Sequence, residues 1–273
     1  MESRIRPRGG ARMRANKATR REFLVGLGGA ALGISLSGVT GLLTAHSQQK
    51  PSVPELPWPY VKLDPVAAAE RAYELYYKGA CMFGVFEGIV GELRAKVGAP
   101  YTVLPTQFAI YGKAGVAGWG TLCGALNGAA AAIYLVTAPA DGDRIIDEIY
   151  SWYSQMALPD YKPKSPKFQI APSVSGSPLC HVSVTRWCEA TGFKALSPER
   201  SERCAWLTAS VARYTVEQLN KYADKAFAVA HPIPKDVTSC LACHGKGGVK
   251  ENVHMSKAVS CTQCHFSLGT KHP

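Results

Sequence analysis

Two copies of one short sentence lie 21 residues apart near the C-terminus: Ser239-Cys240-Leu241-Ala242-Cys243-His244 and Ser260-Cys261-Thr262-Gln263-Cys264-His265. Cys-x-x-Cys-His is the attachment sequence of a c-type haem, because two thiols three positions apart reach the two vinyl groups of one porphyrin while the next imidazole reaches its iron. Cys240, Cys243 and His244 therefore read as the attachment and proximal ligands of one haem, and Cys261, Cys264 and His265 as those of a second. A zinc ribbon competes, since two Cys-x-x-Cys pairs at this interval can also build a tetrahedral thiolate site. Such a site needs no histidine after each pair, and both copies have one. Residues 231–273 amount to 43 residues for two large apolar macrocycles, and a segment that small cannot bury them alone. The haems must cover each other, the rest of the chain or a second subunit, so close haem stacking and a dimer interface at the haem segment are expected.

The N-terminus reads as an address. Arg4, Arg6, Arg8, Arg12, Arg14, Lys17, Arg20 and Arg21 precede an uncharged run from Phe23 to Ala45, and Thr19-Arg20-Arg21-Glu22-Phe23-Leu24-Val25 has the form of a twin-arginine export signal. Cleavage after Ser47 is expected, which makes residues 1–47 the signal and the mature protein periplasmic. The run is long enough to span a bilayer, but its six glycines weaken it as an anchor, so membrane association arises only if the signal is retained. Residues 48–273 hold 23 Lys and Arg against 18 Asp and Glu, net +5. The high net charge belongs mostly to the address, and nothing points to a nucleic-acid partner. Export by this route commonly follows cofactor insertion in the cytoplasm, whereas haem c is joined after export. A second, non-haem cofactor loaded earlier is therefore expected.

The body of the chain reads as all-α, since no segment alternates with period two. Four prolines make residues 48–63 an extended lead-in. Asp64-Pro65 is an N-cap with a first-turn proline, predicting a helix over about 65–78; Gly79-Ala80 interrupts it and a more buried helix starts at Cys81. The small, apolar stretch from Gly118 to about Val136 can be a buried helix that lets a backbone or cofactor approach closely. Ile145–Met156 and Val182–Thr191 read as short helices, residues 158–179 as loop, and Ser197-Pro198 opens a long helix continuing to about Phe227. The division expected is a helical domain over 64–230 followed by a short, irregular dihaem-binding segment over 231–273.

Five more cysteines remain: Cys81, Cys123, Cys180, Cys188 and Cys204. Disulfides are the default for an exported protein, but five is odd, and a disulfide does not explain the export route. A metal site of four thiolates with the fifth as packing fits both facts. Gly79-Ala80-Cys81 before an apolar helix, Cys123-Gly124-Ala125-Leu126-x-Gly128-Ala129, and Cys180 and Cys204 near helix starts resemble the family named for its C-GCAxxG-C-C cysteine pattern. With two haem motifs appended, residues 64–272 resemble the split-Soret cytochromes c of anaerobic bacteria. The resemblance implies a homodimer with two bis-histidine haems c per subunit, and an iron–sulfur cluster, expected as [2Fe-2S], on Cys81, Cys123, Cys180 and Cys204. The first motif reads Gly-Ala-Cys-Met where the family pattern has Gly-Cys-Ala, and Cys188 is an extra thiol.

Beyond the two proximal ligands the mature chain has His181, His231, His254 and His272, enough to saturate both irons. His254, between the motifs, and His231, ahead of the first, are the candidate distal ligands; His181 reads as a hydrogen-bond partner near the cluster. Paired catalytic carboxylates, a serine triad and a phosphate loop are all missing from the sequence. The expected function is electron transfer between periplasmic redox proteins. The alternatives are a small multihaem reductase, which requires an exchangeable haem ligand, and a redox or gas sensor.

Overall fold

A computed structural model describes residues 53–251. The export signal expected over residues 1–47, the second haem motif with Cys261, Cys264 and His265, and the candidate ligand His254 lie outside the described residues, as does His272.

Asp64 caps the first helix, α1 (Pro65–Val97), by accepting a 2.8 Å hydrogen bond from the Val66 N–H, and Pro65 occupies the first turn. The helix breaks where the sequence predicts: Gly79 and Ala80 leave helical geometry, with Ala80 at φ 61° and ψ −167°, a region that L-residues other than glycine occupy only under strain. The two halves then run back along each other. A Cβ on Gly84 would stand 2.9 Å from the Ala72 carbonyl oxygen, one on Gly88 3.0 Å from the Ala72 Cβ, and Arg71 reaches across to Glu87 at 3.3 Å. Small residues at both faces allow this approach, so α1 is a helical hairpin whose bend presents Cys81.

Two 3-10 segments follow (Tyr101–Val103 and Thr106–Gly112), then α2 (Gly124–Val136), α3 (Pro139–Gln155), an antiparallel pair of short strands, β1 (Ala157–Leu158) and β2 (Ser173–Val174), in the register Ala157 opposite Val174, then α4 (Cys180–Thr191), α5 (Pro198–Ala223) and α6 (Lys235–His244). The fold is thus mainly helical. Three boundaries differ from expectation. The helix anticipated from Gly118 begins only at Gly124, because Ala114, Gly115, Val116, Ala117 and Gly118 all have positive φ and form a left-handed turn. The helix expected from Ile145 starts at Pro139, where proline serves as a first-turn residue rather than a barrier. And α6 forms within the segment expected to be irregular.

The core lies where α1, α2, α3 and α5 meet: Phe86, Ile89 and Leu93 of α1, Leu126 and Ile133 of α2, Ile145 and Ile149 of α3, and Val211, Val216 and Leu219 of α5 are almost wholly buried. Among the described residues no helix is long and apolar enough to cross a membrane.

Three buried carboxylates tie this core together. Glu202 on α5 accepts from Tyr73 Oη at 2.8 Å, Trp206 Nε1 at 2.7 Å, the Lys167 N–H at 3.0 Å and Tyr77 Oη. Burial alone would raise its pKa, but the donors outweigh burial and hold it below the ordinary range; the same holds for Glu87, opposite Arg94, and for Glu148. A carboxyl with a lowered folded-state pKa adds stability that is fully present above its unfolded value and is lost as pH falls through the folded one. The denaturant midpoint is therefore expected to be level from neutrality down to about pH 5.5 and to fall below about pH 4.5. Glu202→Gln should flatten part of that acid limb, and a midpoint level through pH 4 would contradict the assignment.

Candidate functional site

The four cysteines singled out by resemblance reach one place from four helices. Cys81 is the first residue past the α1 bend, Cys123 is the N-cap of α2, Cys180 opens α4, and Cys204 lies in the second turn of α5. A zip of backbone hydrogen bonds sets two of them side by side: the Cys123 N–H donates to the Pro178 carbonyl at 2.9 Å and the Cys180 N–H to the Thr121 carbonyl at 2.7 Å. All four line a single cavity of about 620 Å³, shared with Tyr153, His181, Arg200 and Arg203. Cys188, also on α4, is half-buried and does not line it.

Backbone presses closely against these thiols. A Cβ on Gly124 would stand 2.5 Å from the Cys81 Sγ, and one on Gly115 2.9 Å from the Cys180 Cβ, so glycine is required at both positions for the chain to pass. The left-handed turn at Ala114–Gly118 borders the cavity and gives the Ala114 N–H to Cys81. Left-handed residues other than glycine cost roughly 1–2 kcal/mol each, and this turn contains three, Ala114, Val116 and Ala117. The Ala125 N–H serves Cys123 in the same way, and the Tyr153 hydroxyl stands between Cys123 and Ser183, to which it donates at 2.8 Å. N–H and O–H donors aimed at sulfur are the means by which a protein tunes an iron–sulfur centre.

The electrostatics call for an anion. Arg203 is 1% exposed; its Nη2 donates to Ser183 Oγ at 2.9 Å, its Nε has no hydrogen-bond partner, and it makes no ion pair with a carboxylate among the described residues. A second guanidinium, half-buried Arg200, lines the cavity beside Cys204. A buried charge is tolerated only when paired. Protonated thiols cannot pair it: burial, reinforced by the neighbouring sulfurs, raises the Cys81 pKa and pushes that of Cys180 up to about 12. Binding iron would displace those protons and leave thiolates around an anionic group, the partner that Arg203 lacks. No three His, Cys, Asp or Glu side chains among the described residues stand at the spacing of a single metal ion; the four cysteines share the lining of one cavity.

At the haem end, α6 carries Cys240 and Cys243 one turn apart, half-buried and exposed respectively, with His244 as its last residue. His231 sits ahead of α6 with Nδ1 against Glu148 Oε1 at 2.6 Å. His181 is exposed at the cavity edge. The residues missed in the sequence are Arg203, Arg200, Tyr153, Glu148 and the left-handed turn. One signal was available: Arg203 lies four residues before Leu207 and eight before Val211, so a charge interrupts the buried stripe of α5.

Comparisons with known proteins identify the family. The family model described as "Putative redox-active protein (C_GCAxxG_C_C)" matches residues 85–218, a range that includes Cys123, Cys180, Cys188 and Cys204 and begins four residues after Cys81. The chain is 36% identical to the split-Soret cytochrome c of Desulfovibrio desulfuricans over 263 residues, 90% of this chain and 94% of that one. A solved structure of split-Soret cytochrome c from Desulfovibrio desulfuricans ATCC 27774, described as having a novel iron centre, matches with a TM-score of 0.72 at 38% identity, over 79% of this chain and 95% of that one.

Proposed function

This chain belongs to the split-Soret cytochrome c family and is a cytochrome-type electron carrier; from that premise we propose that it works in the periplasm as a homodimer, each subunit holding two haems c and one iron–sulfur cluster. The observation that carries the cluster is the meeting of Cys81, Cys123, Cys180 and Cys204 around a cavity whose buried Arg203 has no other anion. Bound there and on the two Cys-x-x-Cys-His motifs, iron supplies one-electron couples.

The chain's own residues do the rest. The four thiolates hold the cluster, Ala114 and Ala125 direct N–H donors to sulfur, Tyr153 sets its hydroxyl between Cys123 and Ser183, and Arg203 and Arg200 neutralise the cluster's charge. Cys240, Cys243 and His244 hold one haem, and Cys261, Cys264 and His265 the other. His231 and His254 serve as distal ligands, which leaves no open iron face for substrate. The dimer rests on the shortness of the haem segment, and the periplasmic address on the paired arginines at 20 and 21. Optical and spin-resonance spectra of the protein purified without oxygen test this reading. A split Soret band, low-spin haem iron and a further signal from a reduced cluster are expected. High-spin haem with one unsplit band, or rapid carbon monoxide binding to the reduced protein, would instead favour a reductase.

A further inference from the structure

Glu148, on α3, has no side-chain exposure, and its hydrogen bonds run to one short stretch and one tyrosine. Oε2 accepts from the Ala230 N–H and the His231 N–H at 2.8 Å each; Oε1 takes His231 Nδ1 at 2.6 Å and the Tyr214 hydroxyl at 2.6 Å. Tyr214 is itself held by stacking on Trp152, with ring centroids 4.1 Å apart and planes 10° from parallel. One carboxylate therefore fixes both the backbone and the ring of His231, at the point where the chain leaves the helical body for α6.

The position of one ring hydrogen follows from the partner. A carboxylate only accepts, so the nitrogen facing it carries the hydrogen, and in a neutral imidazole the lone pair then lies on Nε2. Nε2 makes no hydrogen bond among the described residues, and the His231 side chain is 23% exposed. A histidine whose Nδ1–H is held by a carboxylate while Nε2 is free has the form of a metal ligand with its supporting partner. Three residues, Pro232 to Pro234, separate it from the helix that bears Cys240 and Cys243. A structural ion pair alone needs no such tautomer and no free nitrogen.

We infer that Glu148 is the positioning residue for His231 as a haem ligand, fixing the Nδ1–H tautomer and, through its negative charge, making Nε2 a stronger donor to ferric iron. This rests on the assignment of His231 as a distal ligand made above. Tyr214 moderates the effect, because its hydroxyl draws charge from the same oxygen that His231 uses.

Potentiometric titration and spin-resonance spectra of the full, haem-loaded protein separate the two levels. His231→Ala should convert one of the two haems from its low-spin bis-histidine signal; if both stay low-spin, the ligand assignment fails. Where that conversion occurs, Glu148→Gln should keep the ligand but shift the same haem's reduction equilibrium about tenfold toward the reduced form, ~59 mV for one electron, with the other haem unmoved. Tyr214→Phe, which keeps the stack on Trp152, should shift it about threefold in the opposite sense; this second variant also serves where Glu148→Gln folds poorly. A merely structural role would displace both variants in the same direction. Unchanged potentials, or shifts of the same sign, overturn the positioning role while leaving His231 as ligand.

Discussion

Serine in place of Cys123 is expected to abolish the iron–sulfur signal and the acid-labile sulfide of the purified protein while both haems stay covalently attached. Cys123 is the N-cap of α2 and lies deep in the cavity, 5% exposed, where the Ala125 N–H and the Tyr153 hydroxyl approach its sulfur. Loss of a supporting hydrogen-bond partner typically lowers metal affinity by roughly 10–100-fold; loss of a ligand itself should exceed that. Cys81→Ser, Cys180→Ser and Cys204→Ser should behave alike, because each thiol comes from a different helix and none can stand in for another. Cys188→Ser is the control, expected to keep full iron content since its side chain does not line the cavity. Iron and sulfide analysis of the five variants decides the matter, and a depleted Cys188→Ser protein would move the ligand set.

Arg203→Met is expected to change sign with the state of the site. In protein without the proposed cluster the substitution removes a buried guanidinium whose Nε is unpartnered, and replacing such a charge with an apolar side chain is neutral or stabilising by about 1–4 kcal/mol. In loaded protein it deprives an anionic group of its buried counter-charge, and breaking a buried pair costs about 3–5 kcal/mol. Denaturant unfolding of both proteins in both states measures the difference. Equal effects in the two states would mean that Arg203 answers to packing rather than to a charge in the cavity.

Much of this fold is legible in the sequence because its punctuation is local. Asp64-Pro65 and Ser197-Pro198 mark helix starts through chemistry confined to a few residues, and Gly79-Ala80 marks the bend that projects Cys81. The left-handed turn at 114–118 is not legible, since Ala114, Val116 and Ala117 each disfavour positive φ. It exists only because hydrogen bonds to neighbouring backbone override local preference: the Ala117 N–H donates to the Tyr111 carbonyl at 2.9 Å, and the Ala114 carbonyl accepts from the Gly120 N–H at 3.1 Å. The cysteine set was accessible through the family resemblance that Gly79-Ala80-Cys81 and Cys123-Gly124-Ala125 carry. Arg203 and Glu148 were harder to find, because whether a charged residue on a helix faces water or the interior depends on partners distant in sequence, Ser183 for Arg203 and Tyr214 and His231 for Glu148.

One helix, α3, touches both ends of this machinery. Its Tyr153 stands at Cys123, and five residues earlier its Glu148 anchors His231. At 1.5 Å per residue that step is about 7.5 Å along the axis, set by a continuous run of hydrogen-bonded backbone packed into the core. The helix acts as a ruler between the cysteine cavity and the root of the haem segment. On the proposed reading, charge passing between those ends would cross a distance set by one packed helix rather than by a swinging arm.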